Sequence, residues 1–196
     1  LGLKRFAVLF PNDQYGTEFT NIFWDEVSAR GGTITSSQTY SNKETDFRYV
    51  VQKLLGTYYI EDRADEYKYR LKEWSDSQLK KSVRNSPPDD LLPPVVDFDA
   101  IFIPDNTKSL GQIAAMLSYN GVRGGVKLLG TNLWNVPGLA KRIPNWTKDI
   151  VFVDSFVSND LAFQNSSFVK EYRNLFNEEP GRSEEHTSEL QSHHPI

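Results

Sequence analysis

An open, mostly parallel α/β sheet flanked by helices is the fold class this sequence predicts, on three observations. The run FAVLF at 6–10 is apolar without interruption, the mark of a strand buried on both faces. Segments with apolar residues at three- and four-residue spacing follow such runs. Strand and helix then alternate along most of the chain, which implies βαβ units joined by right-handed crossovers.

In chain order, residues 4–10 read as the first strand. The loop PNDQYG leads into a helix over 17–30 with Phe19, Ile22, Phe23 and Val27 on one face, Gly16 or Thr17 as cap and Gly31-Gly32 as stop. TITSSQTY at 33–40 is a β-branched second strand. The helix in NKETDFRYVVQKLLG takes Thr45 as N-cap and buries Phe47, Val50, Val51, Leu54 and Leu55. FDAIFIPDN at 98–106 is the third strand, and a helix over about 109–119 buries Leu110, Ile113, Ala114 and Leu117. Gly124 and Gly125 read as helix terminators, and VKLLGTN at 126–132 is the fourth strand. The Pro-punctuated LWNVPGLAKRIPNW has room for one helical turn before a fifth apolar strand in DIVFVDSFVSND. SSFVKEYRNLFNEEPG closes as a helix with Phe168, Tyr172, Leu175 and Phe176 spaced for burial on one face.

Residues 61–95 interrupt this rhythm. EDRADEYKYRLKEWSDSQLKKSVRN is charged, with an apolar stripe at Tyr67, Leu71 and Trp74, and SPPDDLLPPVV forces an extended, polyproline-like return. A surface helix covering a sheet edge or lying over the lobe is the plainer reading, and a partner-docking element the sharper one.

Composition narrows the chemistry. Among 196 residues, 38% are hydrophobic and 13% aromatic, enough for a core, and there is no cysteine. The three histidines, His186, His193 and His194, all fall in the final stretch, RSEEHTSELQSHH, which is polar and without periodicity. Arg182 to His193 resembles the translation of a common sequencing adapter, so residues 182–196 read as a non-native, disordered tail. Residues 1–181 then hold neither imidazole nor thiol, which removes Ser-His-Asp and Cys-His catalysis and the usual zinc ligand sets. The net charge of -4 falls to about -2 without the tail, and no basic excess points to nucleic acid. No window approaches the roughly 18 consecutive apolar residues of a membrane span. The chain starts at Leu1 close to a strand, so any export signal would lie upstream of it and is not read from this sequence.

In open α/β sheets, ligands collect where loops converge at the carboxyl ends of the strands. Tyr15, Asp105, Asn106, Asn132 and Trp134 all follow predicted strand ends and are the candidate ligand-binding residues. Each has a plainer role open to it: Tyr15 as a packed loop residue, Asp105 and Asn106 as helix caps, Trp134 as a hydrophobic plug rather than a stacking platform. Asp13 suits an Asx-type turn. No catalytic residue, metal or cofactor is expected: the carboxylate pairs Asp97/Asp99 and Asp89/Asp90 do not follow strand ends, and no glycine-rich phosphate cradle follows a strand.

The order of NDQYG, TDF, DAIFIPD, LLGTNLW and VFVDSF resembles type I periplasmic solute-binding proteins of the leucine-binding family, over residues 4–181 apart from the insertion. The resemblance implies a Rossmann-like sheet forming the second lobe of a two-lobed fold at 1–157, with 158–181 as an incomplete returning helix of the first lobe. It also implies a non-catalytic, periplasmic or cell-envelope receptor. Such a receptor holds a small solute in the cleft between lobes closing about a hinge, and delivers it to an ABC permease. Tyr15 matches the family's cleft tyrosine of the D-x-x-Y-G-type loop, and Asp105 with Asn106 falls on the loop after the next cleft-facing strand. At Asn132, amino-acid binders of the family commonly carry a carboxylate that pairs with the ligand's ammonium group. A neutral amide cannot supply that ion pair, which puts an ordinary amino-acid ligand in question. The insertion and PPVVDFDAIFIPD also look like proteins named penicillin-binding protein activators, envelope lipoproteins of the same fold that touch a peptidoglycan synthase.

Overall fold

The apolar run becomes the middle of a sheet. In the computed structural model, which describes residues 2–78, 86–88, 91–122, 124–154, 161–178 and 180, β1 (Arg5–Pro11) lies between β2 (Thr33–Tyr40) and β3 (Ala100–Phe102). β4 (Lys127–Gly130) and β5 (Ile150–Phe152) complete the order β2-β1-β3-β4-β5, and every pairing is parallel. The expected α/β class with a parallel sheet is therefore the observed one. The chain divides into two units, 1–153 and 154–196, and the sheet belongs entirely to the first.

The helices of the first unit are α1 (Gln14–Ala29), α2 (Arg48–Leu54), α3 (Ala64–Gln78), α4 (Thr107–Tyr119) and α5 (Leu139–Arg142). Strand alternation sends Ala7, Leu9, Ile101, Ile103 and Leu128 into one core, which α2, α4 and α5 close with Val51, Leu55, Leu110, Ile113, Leu117 and Leu139. On the other face, the Phe23 ring of α1 stacks on Phe102 at 4.2 Å and meets Phe6 edge-on at 5.5 Å. Burial on both faces is why β1 reads as an unbroken apolar run.

Helix boundaries correct several expectations. α1 starts at Gln14, and its cap is Asp13, whose extended backbone lets Oδ1 accept the Gly16 N–H at 2.8 Å. Neither Gly16 nor Thr17 caps it, and Tyr15 stands inside the first turn. The inward stripe runs through Gly16, Thr20 and Val27, and this small rotation leaves Ile22 exposed. Thr45 caps nothing: Glu44 Oε1 accepts the Thr45 and Asp46 N–H groups, and Phe47 holds the N-cap position of α2 without a side-chain bond. The residues expected to be buried by this helix, Phe47, Val50, Val51, Leu54 and Leu55, are all buried. α4 ends at Tyr119 with Asn120 as its C-cap, and the glycine that terminates it is Gly121, in the left-handed region at φ +83°, rather than Gly124 or Gly125.

The insertion enters and leaves the fold through a tied neck. Val95 N–H donates to the Leu55 carbonyl at 2.9 Å, and Arg63 Nη1 donates to the carbonyls of Gly56 and Pro93 at 3.0 and 2.8 Å. Glu66 accepts from the same guanidinium. α3 forms the expected helix, with Tyr67, Leu71 and Trp74 half-buried. The rest of the charged segment, 79–85, and residues 89–90 lie outside the described residues, as does the tail at 182–196.

Asp99 has a structural role at the amino end of the sheet: its Oδ2 accepts the Lys4 and Arg5 N–H groups, each at 2.9 Å. Those bonds hold its carboxyl below the usual range, and Arg48 holds Asp46 down at about 2. A depressed carboxyl pKa contributes stability that is present above the unfolded value of about 3.9 and is lost as pH falls through the folded value. The urea midpoint of the parent is therefore expected to fall more steeply below about pH 4 than that of Asp99→Asn. Parallel acid limbs would show that this link contributes nothing.

In the second unit, α6 (Leu161–Gln164) precedes α7 (Ser167–Phe176), which Ser166 caps through the Val169 N–H. Phe168, Tyr172 and Phe176 form a ladder of rings 5.9 and 4.6 Å apart, and Arg173 donates to Gln164. Val169 is buried, whereas Leu175 and Phe176 are exposed, against expectation. Helical spacing marks a face as apolar, but burial also needs a surface to cover it. Residues 155–160, with the remainder of the expected fifth strand, lie outside the described residues.

Candidate functional site

All five predicted residues follow carboxyl ends of strands on one margin of the sheet: Tyr15 after β1, Asp105 and Asn106 after β3, Asn132 and Trp134 after β4. Parallel topology forces this, because each strand delivers its loop to the same side. Side chains then link the loops into two clusters.

The first cluster joins β1 to β4. Tyr15 Oη lies 2.8 Å from Thr131 Oγ1 and 3.1 Å from Asn132 Oδ1. The phenol has one proton, so donation to the amide oxygen leaves the Thr131 hydroxyl to donate to the phenol oxygen. The Tyr15 ring packs on Phe19 at 4.3 Å, and the residue is half-buried at the rim. Tyr15 thus has the packing role and a place on the rim together.

The second cluster joins β2, β3 and β4 around Asp105. Its Oδ2 accepts the Tyr40 hydroxyl at 2.7 Å, and its Oδ1 accepts the Asn106 N–H and amide at 2.6 and 2.8 Å. Its backbone carbonyl accepts the Trp134 indole N–H at 2.9 Å. Burial, then the adjacent Asp105 carboxylate, pushes the Tyr40 phenol far above the usual tyrosine range. A raised phenol pKa gives stability that is complete below the unfolded value near 10 and is lost as pH rises toward the folded one. The cluster's hydroxyl–carboxylate contact therefore keeps its proton on the phenol. Asn106 caps α4, accepting the Lys108 and Ser109 N–H groups at 2.9 and 3.2 Å.

Trp134 is the plug of its two alternatives. Its ring is fully buried against Gly130, where a Cβ would come within 2.3 Å of the indole, so only glycine fits beneath it. The ring presents no face to a ligand. Trp146, from the same Pro-punctuated stretch, plugs α4 similarly, donating to the Ala114 carbonyl at 3.2 Å and Ser118 Oγ at 3.0 Å.

Tyr40 and Thr131 were missed in the sequence, though a signal for each was present. Tyr40 is the last residue of a strand, and Thr131 stands directly between Gly130 and Asn132. A pocket of about 390 Å³ reaches this margin beside β2, and of the residues in the two clusters it is Tyr40 that lines it. Among the described residues, no group of three or more acidic, histidine or cysteine side chains could hold a metal, and no helix is long and apolar enough to cross a membrane.

The parallel sheet with helices on both faces is one lobe of the type I periplasmic binding protein fold, which solved structures share with this chain. Among solved structures, it is similar to a Rhodospirillum rubrum protein provisionally assigned as a branched-chain amino acid ABC transporter, with a TM-score of 0.60, 15% identity, and coverage of 94% of this chain and 42% of that one. It is also similar to the LivJ substrate-binding protein of Streptococcus pneumoniae in complex with isoleucine, at TM-score 0.51 and 18% identity, covering 91% of this chain and 39% of that one. The leucine-binding protein LivK of Thermotoga maritima matches at TM-score 0.52 and 15% identity over 91% of this chain and 40% of its own. The chain thus spans about two fifths of the length of these structures. No family model matches the sequence, and no curated protein does.

Proposed function

We propose that this chain is the second lobe of a non-catalytic, extracytoplasmic solute receptor serving an ABC transporter, with Tyr15, Thr131, Asn132, Asp105 and Asn106 forming one wall of the ligand cleft. The observation that carries this reading is the convergence of Tyr15 with Thr131 and Asn132 across β1 and β4 at the carboxyl margin of the sheet. Residues 158–181 supply the returning helix of the first lobe in this reading, and the tail at 182–196 takes no part. Because hydroxyl and amide groups stand at the junction of β1 and β4, the solute is amino-acid-like or a related small molecule held there by hydrogen bonds rather than by an ion pair.

The test is a thermal-shift screen of the full-length parent protein against amino acids and muropeptides. A solute held at 100 times its Kd is expected to add about 2.7 kcal/mol of stability. Tyr15→Phe keeps the ring on Phe19 and removes the hydroxyl, so affinity for that solute should fall about fivefold to tenfold at a stability cost near 1 kcal/mol. A parent that no solute stabilises would overturn the receptor reading.

The second reading is an envelope lipoprotein of the penicillin-binding protein activator type that regulates peptidoglycan synthesis by protein contact. Its support is the neck at Arg63, which ties the start of the insertion to its proline-rich return. Deleting 61–95 is expected to abolish synthase binding and leave a folded lobe. An unfolded product would make the insertion structural instead.

A further inference from the structure

The outward side of α2 carries an aromatic and cationic group that the rim does not use. Tyr49 meets Tyr58 edge-on at 5.7 Å, and Tyr58 meets Tyr59 at 4.8 Å. The three are 56%, 39% and 50% exposed. Lys53 Nζ stands 4.8 Å from the Tyr58 ring centroid and 5.8 Å from that of Tyr59. Single apolar residues on a surface need no explanation, but contiguous exposed rings mark a place where something binds.

Two grooves flank this ridge. One, of about 390 Å³, is lined by Thr39, Ser41, Tyr49 and Lys53 together with Glu44 and Asp46. The other, of about 500 Å³, draws on Arg48, Gln52, Thr57, Tyr119 and Asn120 beside the returning prolines. Both lie within the size range of ligand sites, and polar groups share their walls about equally with apolar ones, among them Val50, Leu92, Pro93 and Pro94. Such linings suit a ligand that has apolar C–H faces for the rings and many hydroxyls for the amides.

Charge adds a second requirement. Arg48 is committed to Asp46 through paired contacts of 3.0 and 2.6 Å. Glu44 accepts two backbone N–H groups on one oxygen. Among the described residues, Lys53 has no carboxylate within ion-pair distance, only tyrosine rings. Its ammonium is the group in these grooves left to meet an anion.

We propose that this face binds an acidic oligosaccharide, laid across α2 with sugar rings on Tyr49 and Tyr58 and one carboxylate at Lys53. The surface formed by Tyr49, Tyr58 and Lys53 meets the rim cluster at Tyr40, which also lines the first groove, and does not depend on the solute-receptor reading. The full chain is titrated calorimetrically with trigalacturonic acid, with maltotriose as the neutral sugar and triglutamate as the anion without a sugar. Trigalacturonate is expected to bind, and its affinity to fall about tenfold or more in both Tyr49→Ala and Lys53→Gln, with maltotriose markedly weaker and triglutamate silent. Tyr49 is exposed and Lys53 half-buried, and unchanged circular dichroism and urea midpoints confirm that the variants fold. No binding of trigalacturonate, equal binding of maltotriose or triglutamate, or unchanged affinity in either variant would overturn the proposal. Binding of triglutamate would point to an acidic protein partner instead.

Discussion

Replacing Trp134 with alanine is expected to destabilise the first unit by about 3–5 kcal/mol, the range for deleting a large buried aromatic side chain. The indole is fully buried, fills the space above Gly130 and donates to the Asp105 carbonyl at 2.9 Å, so the substitution leaves a cavity and an unpaired acceptor together. Trp134→Phe should fall between, retaining much of the packing and losing the N–H. Because Asp105 also holds Tyr40, the loop after β3 should loosen, and binding at the rim should weaken in the same variant. Urea unfolding followed by tryptophan fluorescence measures the first effect, with Trp24, Trp74 and Trp146 remaining as reporters. A loss below about 1 kcal/mol would mean that the ring is not the plug the packing makes it.

The second large effect is expected at Gly16. Alanine is ordinarily the better helix residue by about 1 kcal/mol. Here the sign should reverse. A Cβ at Gly16 would stand 2.2 Å from the Pro11 carbonyl oxygen, and backbone cannot swing aside as a flexible side chain can. Relief requires α1 to move off the end of β1, at a cost of about 2–3 kcal/mol for an overpacked contact. That movement carries Tyr15 away from Thr131 and Asn132, so the variant should lose rim binding beyond its loss of stability. Equal or greater stability in Gly16→Ala, by urea midpoint, would show that the helix start shifts without resistance.

These two positions also mark what was legible in the chain. The run at 6–10, the 33–40 strand and the buried face of the second helix were readable because hydrophobic period is a local property. The common margin of Tyr15, Asp105, Asn106 and Asn132 was readable too, since parallel crossovers leave the loops no other side. Boundaries were less so. Asp13, Gly16 and Thr17 are all acceptable caps in sequence, and only the extended backbone at Asp13 selects among them. Ile22 was assigned to the wrong side because a face displaced by part of a turn still matches helical spacing.

The role of Trp134 and the partners of Tyr15 belong to another level. Tyr15 reaches Thr131 over a sequence separation of 116 residues, and Tyr40 reaches Asp105 over 65. Arg63 ties Pro93 over 30. By itself, the amino-acid sequence determined the alternation of strands and helices, the parallel sheet and the margin to which polar loops are delivered, because neighbouring side chains decide which backbone groups are buried. Only the tertiary structure decided which polar tips meet, which tryptophan is sealed and where the insertion is tied, because those outcomes depend on distances between strands that no local pattern encodes.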